Sequence, residues 1–458
     1  MSLRRLLPAM ALTACACSPL DPEPQIVLYV DTDAPLHSIF GEQEGLFDTL
    51  VFDVYLPGSD EPCPRCTREF AVDAATFRHG EASIGLLDVA EGTRVRVRLF
   101  SDRYRRDGVP NPDSTLDAFV AIPVPDGVEE VHVRLPTERV ARPFGTLDEP
   151  IEAVPGAPLF SVVGTFVERT SCAGSPREGE ACMPGGAFWM GNPRILDTGV
   201  FDSIAGVESR VDRMRIVVID PFYIDLTETT VDRFAEIGPV AQVPAWSGEG
   251  VGTNVADYFT LGADEDLPIN GVTWQEARDH CQARGGDLPT EAQFEYAASD
   301  LRGSDYPWGP ALPSCDDAVW GRGGLGPFAQ ATSTCTVFGL TAKNPRGPRR
   351  VGRADRDFVA ASQADFFGGR RVKDLAGNVG EWARDFYAEQ DSSCWPTGVV
   401  HNPICDDASA HPDWRPVRGG RWTEPPSGLM AAVRSPEVMT ARSPSIGFRC
   451  VRAAESAE

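Results

Sequence analysis

Histidine is scarce in this chain of 458 residues, with six in all, at positions 37, 79, 132, 280, 401 and 411. None stands in HExxH, HxH or HxxxH spacing, so a histidine-rich zinc or iron centre has no local scaffold. P-loop and GxSxG patterns are absent too, which removes the local signatures of a phosphate cradle and a serine hydrolase. Positive charge is also in short supply. The 42 basic side chains face 67 acidic ones, for a formal charge of −25. That average field repels polyphosphate and anionic lipid surfaces, so nucleic acid is excluded as a partner. Past the N-terminus no apolar run approaches the ~18 residues a membrane-spanning helix requires.

The N-terminus has a basic start, Arg4-Arg5, then an apolar run from Leu6 to Ala14, then cysteine. Leu12-Thr13-Ala14-Cys15 resembles the lipobox of bacterial lipoproteins. The resemblance implies a signal peptide over 1–14, acylation of Cys15 (palmitate among the chains) and a tether over 15–25. A plain secretory signal is the competing reading. Ala16 after the cysteine, rather than Asp, points to the outer membrane. The expected location is therefore the bacterial cell envelope, with a lipid anchor at Cys15 and the protein facing the periplasm or the cell surface.

Export predicts oxidised cysteines. Beyond Cys15 and Cys17, ten remain: Cys63, Cys66, Cys172, Cys182, Cys281, Cys315, Cys335, Cys394, Cys405 and Cys450. Connectivity cannot be deduced from sequence. Proximity suggests 63–66, 172–182, 315–335 and 394–405, which leaves 281 with 450. Cys63-Pro-Arg-Cys66 has no second cysteine pair or histidine cluster beside it, so a local structural bridge is expected there.

The length favours two or three domains. Residues 26–136 alternate with period two in Ile26–Val30, Leu50–Leu56, Thr93–Leu99 and Glu130–Leu135. Turn-rich segments separate these runs, which predicts an antiparallel β-sandwich. Residues 137–183 read as a linker with a small Cys172–Cys182 loop. Residues 184–453 read as a second domain rich in Gly, Trp and Pro, and 454–458 as a tail. Two helices stand out there, because Thr273-Trp-Gln-Glu276 and Thr290-Glu-Ala-Gln293 are capping boxes. On the first helix Cys281 faces the core and His280 is expected on the exposed side. The fold class is α+β.

The second domain also carries an ordered set of segments. They are Phe188-Trp-Met-Gly191, Pro221–Thr230, Leu267–Trp274, Leu288–Ala297, Tyr306-Pro-Trp-Gly309, Asp374–Trp382, Val417-Arg-Gly-Gly-Arg-Trp422 and Gly447-Phe-Arg-Cys450. In this order they closely resemble the formylglycine-generating enzyme, or sulfatase-modifying factor, family. The resemblance implies a variant of the C-type-lectin-like fold with little regular structure, and a bridge between Cys281 and Cys450. Active members oxidise a sulfatase cysteine to formylglycine with molecular oxygen and a copper ion held by two cysteines. Soft thiolates suit Cu(I). Their counterparts here fall within Pro426, Ser427, Gly428, Leu429, Met430 and Ala431, and none is cysteine. Copper is not expected, nor the oxidase reaction. The resemblance further implies a calcium ion wrapped by Gly377, Asn378, Val379 and Glu381, whose oxygens suit a hard cation. A second calcium segment at Asp316-Asp317-Ala318 lacks the usual Asn.

Two functions compete. One is a non-catalytic binding or structural module, with Arg418, Arg421, Trp422, Arg434 and Arg442 around the vacated site to hold an unknown peptide, protein or small-molecule ligand. The other is an enzyme of the same fold with different chemistry, such as oxidative maturation of a peptide or small molecule, with Glu424 or Glu437 as general acid or base.

Overall fold

Period-two alternation becomes strands wherever the sequence predicted them. The protein, here a computed structural model, is described over residues 23–37, 45–193, 213–237, 258–261, 264–323, 335, 346–362, 365, 368–409 and 411–454. Cys15 and the lipobox lie outside the described residues. The first strands are β1 (Gln25–Thr32), β2 (Thr49–Tyr55), β3 (Arg68–Ala71), β4 (Ser83–Leu87), β5 (Arg94–Phe100), β6 (Thr115–Ala121), β7 (Val128–Leu135), β8 (Ile151–Glu152) and β9 (Val154–Pro155). They form two sheets, ordered β4-β1-β7-β9 and β3-β2-β5-β6-β8. A short helix, α1 (Ala74–Arg78), begins at an Asp73 cap.

Alternation sorts the side chains by face. On β5, Val95, Val97 and Leu99 are buried, while Arg96 and Arg98 turn outward to Asp117 (2.6 Å) and Asp53 (2.5 Å) on the flanking strands.

The pairing differs from the antiparallel expectation in two places. β1 runs parallel to β7 over its whole length, Gln25 opposite Val128 through Thr32 opposite Leu135. β6 runs parallel to β8. Parallel neighbours need a long crossover connection. For β1 and β7 that connection is most of the second sheet, which alternation cannot reveal. Residues 137–183 are not a free linker either. β8 and β9 sit in the two sheets, and Val140 and Val163 are buried in their core.

The second half is mostly short strands with few helices. β10 (Glu180–Met183), β13 (Phe222–Asp225) and β21 (Val451–Ala453) form one sheet. β11 (Gly186–Met190), β12 (Arg215–Ile219) and β17 (Gly398–His401) form another. β14 (Phe358–Val359) pairs with β15 (Val372–Lys373). The fourth sheet holds β16 (Gly380–Trp382), β18 (Trp414–Arg418), β19 (Arg434–Val438) and β20 (Ile446–Gly447), in the order β19-β18-β16-β20. The helices are α2 (Val231–Ala235), α3 (Trp274–Ala283) and α4 (Glu291–Ala298).

β11 and β12 join the halves. Every residue of both strands is buried. Trp189, Ile216 and Val218 face the core of the first two sheets, whereas Phe188, Met190, Val217 and Ile219 face the second half's own core. The indole Nε1 of Trp189 donates to the Leu46 carbonyl at 2.8 Å, and Phe47 meets the same ring edge-on at 5.4 Å. Tyr104 donates to the Gly303 carbonyl at 3.1 Å, and Arg103 pairs with Asp305 at 2.7 Å. The core of the first two sheets therefore extends across the boundary and takes in one face of β11 and β12.

Candidate functional site

The site is framed by α3, α4 and the fourth sheet. Both capping boxes form as expected: Thr273 with Glu276, and Thr290 with Gln293. These satisfy first-turn amides that would otherwise be orphaned. Cys281 projects from α3 into the core and bonds Cys450, and the other four bridges are 63–66, 172–182, 315–335 and 394–405.

His280 is a correction. It is buried, not exposed, because α2 lies over that flank of α3. Its ring stacks on Phe234 at 5.3 Å and meets Phe448 edge-on at 5.4 Å, and Nε2 has no hydrogen-bond partner among the described residues. Burial, reinforced by the Arg284 charge, lowers its pKa to about 4 from 6.5. The unfolded chain takes up this proton below about pH 6.5 and the folded one resists it until about pH 4. The contribution is intact above pH 6.5 and is lost as pH falls through that window, by up to about 3 kcal/mol. Urea unfolding at pH 7.5 and 4.5 should show that His280→Leu loses less stability on acidification than the native chain. Equal losses would refute this.

The four arginines expected around a groove all have partners inside the protein. Arg434 is buried and grips the Glu291 carboxylate with both Nε (2.7 Å) and a terminal nitrogen, and donates to the Ala388 carbonyl at 2.6 Å. Arg418, equally buried, donates to Glu295 at 2.5 Å and to the Ala431 carbonyl at 3.0 Å. Arg442 holds Glu276, the capping carboxylate of α3, at 2.7 Å. These three are internal ties, not groove residues. A charge buried at the end of a strand must be paired, and α4 supplies the carboxylates. Arg421 is largely buried between Glu437 (3.2 Å) and Glu424 (3.6 Å), so both candidate acid–base carboxylates share one guanidinium. Trp422 is fully buried, stacked on Tyr258 at 5.2 Å.

The segment in which the resemblance places the copper ligands is closely packed. Pro426–Leu429 forms one 3-10 turn. Leu429, Met430 and Ala432 join Tyr306, Trp320 and Ala376 in a hydrophobic cluster, and Ala431 is buried in the core beside α4. Gly420 lets the turn close down. At φ 75° it takes a left-handed conformation, and a Cβ there would stand 2.6 Å from the Gly428 carbonyl and 2.7 Å from Leu429. The donor set does not fit copper. All ten cysteines among the described residues are in disulfides, and Met430 packs in that cluster.

The description "Sulfatase-modifying factor enzyme 1-like domain" fits residues 168–454, well over half of the chain. The chain belongs to the sulfatase-modifying factor family. The inactive Cα-formylglycine-generating enzyme 2 of Bos taurus is 26% identical over 198 residues, covering 41% of this chain and 51% of that protein. The formylglycine-generating enzyme of Streptomyces coelicolor is 26% identical over 329 residues, covering 62% and 92%. The chain thus spans about half the length of its mammalian relative. Among solved structures, PvdO from Pseudomonas aeruginosa matches with a TM-score of 0.39 and 19% identity, over 60% of this chain and 93% of that one.

The family's Gly-Asn-Val-Gly-Glu-Trp segment is arranged differently from the calcium cage expected of it. Both oxygens of Glu381 accept from Arg449, at 2.6 and 2.7 Å. Asn378 turns inward, with Nδ2 donating to Glu228 at 2.7 Å and Oδ1 accepting from the Arg349 amide at 2.8 Å. Its carbonyl accepts from Trp422, and Gly377 and Val379 lie beside it in the same buried turn. Among the described residues no three His, Cys, Asp or Glu side chains are grouped to hold a metal. Glu381, the one carboxylate of the set Gly377, Asn378, Val379 and Glu381, is already neutralised by a guanidinium, which leaves the set short of charge for calcium. In the second segment Ala318 is buried, and Asp317 accepts from the Ser314 amide at 2.8 Å.

Two groups escaped the sequence reading. One is the buried acid set around Arg449: burial first and then Asp374 push Glu228 well up and Asp357 to about 8, and burial lifts Asp374 to about 6. The other is Arg322 and Arg349, the first donating its amide to the Trp422 carbonyl at 2.8 Å and the second its amide to Asn378 Oδ1 at 2.8 Å. Five arginines between 346 and 356, in a chain of charge −25, were the available signal.

Proposed function

We propose that this protein is a non-catalytic binding or structural module of the sulfatase-modifying factor family that has lost the copper-dependent oxidation of cysteine to formylglycine. One observation carries the reading: the stretch that stands for the metal-binding cysteines is cysteine-free and folded into a hydrophobic cluster under Gly420. An oxidase needs a soft ligand pair and room for oxygen beside a peptide thiol, and neither is offered there. The similarity to an inactive formylglycine-generating enzyme 2 is in keeping with this.

The wider reading has the first two sheets as a β-sandwich, the second half as a variant of the C-type-lectin-like fold, and the chain as an outer-membrane lipoprotein anchored at Cys15. In the test, the protein is incubated with copper, oxygen, reductant and a cysteine-bearing sulfatase peptide. Mass spectrometry should show the cysteine unchanged and an oxygen electrode no uptake above the peptide blank. Conversion of the peptide to formylglycine would overturn the reading.

The enzymatic alternative would have to work through Glu424 or Glu437, and both of these already pair with Arg421. Calcium is a separate proposal. With Glu381 paired to Arg449, the ion would need Asp374, whose buried Oδ1 has no partner among the described residues, together with main-chain oxygens. A melting temperature several degrees higher in calcium than in EDTA supports it, and an unchanged one removes it.

A further inference from the structure

A cavity of about 270 Å³ opens beside β10, and the Cys172–Cys182 bridge forms part of its wall. The chain folds back to make it. Main-chain hydrogen bonds join Thr170 and Gly185 in both directions, at 2.7 and 3.2 Å, and tie the segment leading to Cys172 to the end of β10. On β13, Tyr223 stands opposite Cys182 and donates its hydroxyl to the Ala173 carbonyl at 2.8 Å. Ser362, Asp365 and Arg370 supply another part of the wall. Asp365 is engaged there, accepting from Ser362 at 2.7 Å and from Arg370 at 2.9 Å.

Two features distinguish this cavity from a packing defect. The first is charge. Arg169 lines it and makes no ion pair among the described residues, and its hydrogen bond to the Leu301 carbonyl is a long one at 3.4 Å. Asp300 feels its charge but is paired with Arg302. A guanidinium so placed matches a carboxylate. The second feature is the setting of the two sulfurs, both half-buried. The Cys172 amide donates to Sγ of Cys182 at 3.2 Å, while Sγ of Cys172 stands 3.4 Å from the Phe222 carbonyl and 3.6 Å from that of Met183. A bridged sulfur has no proton to give those carbonyls. Once the bridge opens, a Cys172 thiol can donate to them, and a Cys182 thiolate keeps the amide N–H. The surroundings suit the opened pair, and stabilising the reduced form makes a disulfide easier to exchange.

We propose that Cys172–Cys182 is an exchangeable bridge that captures a thiol carrying a carboxylate, either a small molecule or a peptide ending in cysteine. The carboxylate meets Arg169. The ligand's thiolate attacks Sγ of Cys172, a new S–S bond forms there as the Cys172–Cys182 bond breaks, and the electron pair leaves on Cys182. The proton of the ligand thiol goes to solvent, and the step consumes no further oxidant or reductant. None of the lining residues belongs to the vacated segment 426–431, so the capture does not rest on the loss of the oxidase. Formylglycine formation would sink the module and leave the exchange untouched, and a bridge that does not exchange would leave the module standing.

The test follows each bridge of the whole oxidised protein by alkylation and mass spectrometry during exposure to 3-mercaptopropionate, with 2-mercaptoethanol as the uncharged control. The 172–182 bridge is expected to open while 281–450, 315–335 and 394–405 stay closed, with a mercaptopropionate adduct on Cys172. Its opening rate should saturate with 3-mercaptopropionate and rise linearly with 2-mercaptoethanol, a contrast read on the native chain alone. Arg169→Gln should raise the half-saturating concentration several-fold. Arg78→Gln, at an exposed position of α1, should leave it unchanged. Saturation by a peptide whose terminal cysteine has a free carboxylate, lost on amidation, supports a chain-end ligand, and saturation by the small thiol alone supports a free one. Linear kinetics with both thiols, or native half-saturation in a folded Arg169→Gln, would overturn the proposal.

Discussion

Replacing Cys281 and Cys450 together by serine should cost about 5 kcal/mol, the largest single loss expected in this chain. The bridge closes a loop of 169 residues, and in the chain-entropy description the effect on the unfolded state grows with the logarithm of loop length. Both sulfurs are buried, so two hydroxyls would enter an apolar cluster with Trp274, Ile446 and Phe448 and add to the loss. The 394–405 bridge closes only 11 residues and should matter less. Urea unfolding of the oxidised proteins checks both. A smaller loss for the 281–450 pair than for the 394–405 pair would contradict the account.

Arg434→Met should destabilise the protein by about 3–5 kcal/mol, because it leaves the buried Glu291 carboxylate with its bidentate partner gone. Arg418 stands 3.7 Å from Glu291 and already serves Glu295, so its rescue is partial. Adding Glu291→Leu to Arg434→Met removes the stranded charge and should restore a substantial part of the loss. Simple addition of the two single effects in a double-mutant cycle would show that the pair is not coupled.

These two sites also show what could be read before the fold was known. The 281–450 bridge was legible because cysteines are countable and the flanking motifs are local: a capping box on one side, Gly-Phe-Arg-Cys on the other. The strands of the first half and the starts of α3 and α4 were legible for the same reason, since period and cap chemistry extend over only a few residues. That no cysteine stands between Gly420 and Gly447 was legible from the sequence, and only the resemblance to the family gave that absence a meaning.

Arg418 and Arg434 were misplaced because a buried arginine and a surface arginine are the same letter. Their partners, Glu291 and Glu295, lie on a helix buried at every residue except Gln293. Helical periodicity cannot distinguish carboxylates facing water from carboxylates facing guanidinium groups. His280 failed similarly: α2, about forty residues earlier in sequence, covers it. The parallel pairing of β1 with β7 and the double-sided burial of β11 and β12 depend on contacts between distant segments, which carry no local sign beyond a continuous apolar run.

A cut at residue 168, where the family match begins, would keep every family motif and bare one face of β11 and β12. Trp189, Ile216 and Val218 would then meet water as one contiguous apolar surface, the kind that drives soluble chains to aggregate. The first two sheets thus serve the family half as a permanently attached chaperone. A change at Phe47 on one side alters the packing of Trp189 on the other, so a substitution in the first two sheets can reach the family half.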